Sequence, residues 1–285
     1  LASLTKILST LTLLLMAESE GKIKFSDPVE KYLPEAAGFA ADSGKAITLL
    51  HLLQHNSGLA AHVEFFRRYI SGDAILGDHK ALLSWICETK INSSEEYSDL
   101  GHMLLGFLLE KIYGKKIPAL FADKIAKRLQ LKNTGFVLLP HAPENSGFSL
   151  AAPITQFVAT EQCPWRKKTL QGEVHDDNTW AMGGYAGHAG LFSTAEETLK
   201  CFSHLMKQVR ANPAIKIPPP ISAQKFHYGL MKYPGLRAFA DPAFQGAIGH
   251  TGFVGTSAWH HPETNTNVIL LANRVHPNRN DARWI

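Results

Sequence analysis

The apolar positions divide the chain into three stretches. Ala2, Leu4, Ile7, Leu8, Leu11, Leu14 and Leu15 cover most of a helix circumference, as in a segment packed between two layers. Glu18, Glu20 and Gly21 end that helix at a turn. A helical middle follows. The pattern predicts a helix over 47–59 stopped by Asn56-Ser57-Gly58, irregular helix over 63–87, and an amphipathic helix over 100–113 ended by Gly114. A further helix over 118–131 opens with Pro118 at its first turn. Residues 132–192 read as loops rich in Gly, Pro, Asn and His, and 195–209 as an amphipathic helix. Pro213 and Pro218-Pro219-Pro220 mark a linker or surface crossing. The last third turns β-like at 225–233, 250–261 and 267–275, with a hairpin turn in 262–267 and the final residues able to begin a helix. The expected fold class is α/β (α+β), an antiparallel sheet flanked by helices plus a mostly helical region. Residues 1–20 form a buried helix at the boundary, 21–192 the helical region, and 193–285 the C-terminal part of the α/β domain.

Composition agrees with this reading. Of 285 residues, 45% are hydrophobic and 19% charged, enough for a large core and incompatible with a wholly disordered chain. The net charge is +4 and the basic residues are scattered, so no nucleic-acid surface is expected. Cys87, Cys163 and Cys201 form no CxxC pair and no disulfide framework. No apolar run reaches the ~18 residues of a membrane span. Lys6, the run 7–17 and Glu18 also have the shape of a signal peptide. Two motifs further along decide for the helix. The chain opens at Leu1 rather than Met and stops soon after a strand-like run, so both ends are expected to be truncated relative to the full protein.

Three short strings could carry chemistry. Ser3 and Lys6 stand three apart at a helix start, on one face and about one turn apart. A helix N-terminus favours an oxyanion, and a desolvated lysine can deprotonate a serine. Tyr97-Ser98-Asp99 enters a helix, where a phenol beside an ammonium suits proton shuttling. His250-Thr251-Gly252 lies in a Gly-rich strand able to bind a substrate along its edge and aim a backbone N–H at a carbonyl oxygen. Each string alone has a bland alternative: a cap serine with a surface lysine, a helix-capping Asp99, a strand bend with a solvated His250.

Together and in this order, SLTK, YSD and HTG resemble the SxxK, YxN and KTG motifs of the serine β-lactamase and penicillin-binding protein superfamily. The match is best to the class C β-lactamase-like branch with its DD-peptidase and esterase relatives. LLHLLQHNSGL, SDPVEKYLPE and GGYAGHAGLFSTAEE are similar to further segments of that branch, so the resemblance covers nearly the whole chain. It implies a β-lactamase/transpeptidase-like fold whose first strands, before SxxK, are missing here. It also implies Ser3 as nucleophile, Lys6 taking or relaying its proton, and Tyr97 protonating the leaving group and activating water for deacylation. The N–H groups of Ser3 and Phe253 form the oxyanion hole. Asp99, His250, Thr251, Gly252 and Phe253 bind substrate, without cofactor or metal. The implied partner is a small molecule or peptidoglycan-type peptide, and the implied location the cell envelope or periplasm.

Two residues depart from the pattern. Asp99 stands where Asn is usual, replacing an amide donor by an acceptor. His250 stands where Lys is usual, so binding of a substrate carboxylate is expected to strengthen as pH falls. These changes favour a peptidase or esterase over an efficient β-lactamase.

A second cluster, GEVHDDNTWAMGGYAGHAG, concentrates His175, Asp176, Asp177, Trp180 and His188. It reads as a loop lining the cleft with Trp180 as an apolar wall, as a loop whose polar groups bond to one another, or as a metal site. The rival functions are therefore a non-catalytic relative that kept the fold, and a metal-dependent hydrolase using the His175 cluster.

Overall fold

The computed structural model describes residues 1–39, 44–92, 96–213, 215, 225–233 and 244–280. Helix α1 spans 4–19 and is buried along most of its length. Its turns are π-wide over Lys6–Leu11 and α-helical over Thr12–Ser19. The Thr12 hydroxyl donates to the Ile7 carbonyl, five residues back, at 3.0 Å. A buried helix must satisfy its own polar side chains. Accordingly Thr10 Oγ1 donates to the Gly187 carbonyl at 2.6 Å, and Thr5 Oγ1 accepts from the Leu191 N–H at 3.1 Å. These bonds fasten α1 to the glycine-rich segment 183–190.

The helical layer follows as α2 (Leu49–Leu53), α3 (Phe66–Ile70), α4 (His79–Cys87), α5 (Asp99–Tyr113) and α6 (Ile117–Phe121). The last runs on through Ala122–Ala126 and Lys127–Leu129. The loop-rich stretch contains β1 (Gly135–Phe136), β2 (Gln162–Cys163), β3 (Lys168–Thr169), α7 (Asp177–Ala181) and β4 (Leu191–Phe192). Helix α8 (Ala195–Ala211) precedes the main sheet of β5 (Phe226–His227), β6 (Leu230–Lys232), β7 (Ile248–Thr251), β8 (Ser257–His261) and β9 (Thr266–Leu270). These five strands are antiparallel in sequence order, with His250 opposite Ala258 and Trp259 opposite Val268. Helix α8 packs on β8 and β9, and α1 lies between α8 and α5. The first helix thus joins the sheet layer to the helical layer, and the expected α/β class is the one found.

Four elements differ from the sequence reading. The helix expected over 47–59 ends at Leu53, because His55 adopts a left-handed φ of 57° before the Asn-Ser-Gly stop is reached. The run 225–233 is a hairpin, turned at Tyr228 and Gly229 with φ of 48° and 77°. The run 250–261 is two strands, divided by a turn in which Gly255 has φ 103° and donates to the Gly252 carbonyl. Strand β9 stops at Leu270 rather than continuing to 275. Pro218–Pro220 and residues 281–285 lie outside the described residues.

The glycine-rich segment is shaped by close approach. A Cβ on Gly187 would lie 2.0 Å from the His102 carbonyl oxygen of α5, and Gly106 faces Gly187 across the same contact. Overpacking at such a site costs about 1–3 kcal/mol. Gly187→Ala is therefore expected to lower the unfolding free energy by that amount, read as a lower urea midpoint. Gly38→Ala, with φ −62° and nothing within 4 Å of its Cβ position, is expected to stay near wild type. Equal midpoints for the two variants would refute the packing role.

Candidate active site

Ser3 sits at the turn that opens α1. Ala2 before it has φ 48°, unusual for a residue with a Cβ. The bonds Thr5 N–H to Ala2 carbonyl and Lys6 N–H to Ser3 carbonyl, each 3.0 Å, wind the chain into the helix. Thr256 Oγ1 donates to the Leu1 carbonyl at 2.9 Å, tying this turn to the β7–β8 connection. Ser3 lines a cavity of about 450 Å³ together with Tyr97, Asp99, Asp176, His188 and Phe253.

The phenol and carboxylate arrive from the start of α5. Ser98 caps that helix, its hydroxyl accepting from the Gly101 N–H and donating to the Ala60 carbonyl. The Ser98 N–H donates to His55 Nδ1 at 2.9 Å, and the Asp99 N–H to the Ala61 carbonyl at 2.9 Å. Because Ser98 does the capping, the Asp99 carboxylate is free to turn toward α1. Lys6 Nζ, fully buried, donates to Ser3 Oγ at 2.9 Å and to Asp99 Oδ1 at 2.7 Å. It also lies 4.9 Å from the centre of the Tyr97 ring.

The protonation states follow from these neighbours. Burial pulls the Lys6 ammonium down, but the Asp99 carboxylate and Tyr97 outweigh it, so Lys6 is raised above its ordinary value. Burial raises Tyr97 despite Lys6. Burial also opposes the Asp99 carboxylate, yet Lys6 and His62 hold it well below the usual range. The pair at rest is an ammonium beside a neutral phenol, so Lys6 is not the desolvated free amine that the sequence reading offered as a base for Ser3. The physical reason is Asp99, which supplies the charge that desolvation alone would remove.

Strand β7 contributes less directly than expected. His250 is buried, its Nδ1–H donating to the Thr251 carbonyl at 2.6 Å and its ring 5.8 Å from that of Tyr97. Burial and then Lys6 push it down to about 3, so it carries no charge near neutrality. A carboxylate affinity that grows as pH falls toward neutral is therefore not supported. His250, Thr251 and Gly252 do not line the cavity, whereas Phe253 does, half exposed and stacked on His175 at 5.8 Å. Among the described residues, the backbone N–H groups of Ser3 and Phe253 enter no hydrogen bond.

The second cluster divides. His175 bonds Glu161 at 3.0 Å, and Asp177 pairs with Arg166 at 2.5 Å. Trp180 packs against Trp165 and His141, away from the cavity wall it was expected to form. Only Asp176 and His188 meet, at 3.0 Å, and with Asp99 their donor atoms lie within 4.8 Å of one another. Lys6, His62 and the Thr179 N–H already engage these carboxylates, so the grouping is a hydrogen-bonded network.

Three histidines gave little signal in the sequence. His62 Nδ1 lies 3.3 Å from Asp99 Oδ2 at the cavity rim. His55 and His102 stack at 4.9 Å behind Tyr97, and neither ring nitrogen of His102 has a partner. Burial holds His55 and His102 well below their ordinary value, and His79 down to about 4. The unfolded chain protonates these groups near pH 6.5. The folded protein does not, so the unfolded state binds more protons below that pH and stability falls as pH falls. Each such proton contributes up to about 1.4 kcal/mol per pH unit. Denaturation free energy is expected to decline from pH 7 to 5, and His102→Leu to reduce the slope by about one proton. A flat profile over that interval would contradict the buried neutral imidazoles.

The chain is 29% identical over 312 residues to the N-acetylmuramyl-L-alanine amidase of Bacillus subtilis, covering 97% of this chain and 68% of the relative. It is 28% identical over 298 residues to an Escherichia coli protein provisionally named a D-alanyl-D-alanine carboxypeptidase, covering 97% and 69%. Its fold matches a penicillin-binding protein from Bacillus halodurans with TM-score 0.65 and 17% identity, over 96% of this chain and 81% of the other. The beta-lactamase family model matches residues 1–285, the full length of the sequence, so the chain that brings Lys6 against Ser3 and Tyr97 belongs to the beta-lactamase family.

Proposed function

We propose that the protein is a serine acyl hydrolase that opens amide bonds of peptidoglycan-type peptides through an acyl-enzyme on Ser3. The observation that carries this is the 2.9 Å contact between Lys6 Nζ and Ser3 Oγ, with Tyr97 beside both. The names of the amidase and carboxypeptidase relatives support the substrate class.

The chemistry follows from the protonation states. Ser3 Oγ attacks the carbonyl carbon. Its proton passes to the Tyr97 oxygen while the Tyr97 proton passes to the leaving nitrogen, so a neutral phenol suffices as a shuttle. The Lys6 ammonium stabilises charge on Oγ, and the N–H groups of Ser3 and Phe253 receive the carbonyl oxygen as it becomes an anion. The C–N bond breaks, the amine leaves, and the acyl group remains on Ser3. Water then hydrolyses the ester.

Asp99 argues against efficient β-lactam turnover. Its carboxylate has no N–H to offer a substrate amide, and its two oxygens already accept from Lys6 and His62. A D-Ala-D-Ala peptide or a p-nitrophenyl ester should be turned over while nitrocefin is cleaved slowly. A fluorophosphonate probe should label Ser3, and Ser3→Ala should abolish both labelling and turnover. Labelling that persists in Ser3→Ala would refute the nucleophile. Turnover is expected to survive dialysis against EDTA. Loss restored by zinc would favour the metal-dependent reading instead.

A further inference from the structure

The acyl-enzyme needs a group to take the proton of its hydrolytic water; the neutral Tyr97 phenol can relay a proton but is a far weaker base than a neutral imidazole. Lys6 is held as an ammonium, and Tyr97 as a phenol. The rim of the same cavity carries His62, 43% exposed through its side chain. Its Nδ1 faces Asp99 Oδ2 at 3.3 Å, and the other oxygen of that carboxylate holds Lys6 at 2.7 Å. A carboxylate that accepts Nδ1–H fixes the imidazole tautomer and leaves the Nε2 lone pair free. Three contacts thus run from Ser3 to His62: 2.9 Å to Lys6, 2.7 Å to Asp99, and 3.3 Å to the imidazole.

We propose that His62, oriented by Asp99, is the general base that activates water for deacylation. This rests on Ser3 forming the acyl-enzyme. His62 Nε2 takes a proton from water as the hydroxide oxygen bonds to the ester carbonyl carbon. The tetrahedral intermediate collapses, the bond to Ser3 Oγ breaks, and the Lys6 ammonium protonates Oγ. Solvent takes the proton from His62, and Lys6 regains one. Asp99 serves both ends, orienting the base for water and keeping the acid for Ser3 charged. The residue that departs from the family pattern therefore has a use in this chain.

The charged groups acting on His62 are Asp99 from α5, Asp176 before α7 and Glu64 from the loop before α3, and Arg279 lines the same cavity. The hydrogen bond to Asp99 raises His62 above its ordinary value, against partial burial. The deacylation rate should therefore fall about tenfold per pH unit as pH drops below that raised value.

The test uses p-nitrophenyl acetate with wild type and His62→Gln. Wild type should turn over steadily. His62→Gln should release one equivalent of nitrophenol in a burst, then slow about 100-fold, with the acetyl group on Ser3 persisting by mass spectrometry. Wild-type deacylation measured from pH 5.5 to 8 should show the acid-side decline, a readout that does not depend on the variant folding. Unchanged steady-state turnover in His62→Gln, burst and steady state slowed alike, or a pH-independent wild-type deacylation would each overturn the assignment. Turnover of p-nitrophenyl acetate that persists in Ser3→Ala would overturn the nucleophile itself, and the base with it.

Discussion

One carboxylate sets the electrostatics of the site. Asp99 lies between a buried ammonium and a rim imidazole, and both oxygens are occupied. Breaking a buried ion pair by removing one partner costs about 3–5 kcal/mol, because the remaining charge is left uncompensated. Lys6 is at 0% exposure on a helix enclosed by two layers, so it depends on this partner for its charge. The contact also bridges α1 and α5. The same pair that fixes the ammonium beside Ser3 therefore clamps the two helices that bring the site together.

Behind the cavity the balance is reversed. His55 and His250 are packed with Tyr97 and Phe226, and His102 stacks on His55; desolvation and the nearby Lys6 keep these imidazoles neutral. The front of Tyr97 meets charges and its back meets uncharged rings. This arrangement holds the phenol protonated and in place, at the cost of sensitivity to acid. The glycine-rich segment completes the frame by letting its backbone approach α5 within the space of a missing Cβ.

Much of this was legible in the sequence. The all-round apolar pattern of 2–15 identified a helix between layers, and the three-residue spacing of Ser3 and Lys6 put both on one face. The string YSD marked the start of α5. Other features depend on partners distant in the chain. The direction of the Lys6 shift follows from Asp99, 93 residues away, and periodicity does not report such a contact. His62 lies in a loop without periodic pattern. The end of α2 and the hairpin turn between β5 and β6 also escaped, because His55 and Tyr228 adopt left-handed conformations that nothing in their identity announces. The cleft-lining reading of the second cluster, which the resemblance favours, made Trp180 an apolar wall, whereas its ring packs on Trp165 and His141.

The site depends most on the charge of one amine. The direct measurement is the pH titration of the Lys6 side chain by NMR, following its 13Cε and 15Nζ shifts between pH 6 and 9. An ammonium signal across the whole interval is the predicted result, with the onset of deprotonation moved downward in Asp99→Asn. A Lys6 that is already a neutral amine at pH 7 would contradict it, and with it the division of labour among Lys6, Tyr97 and His62.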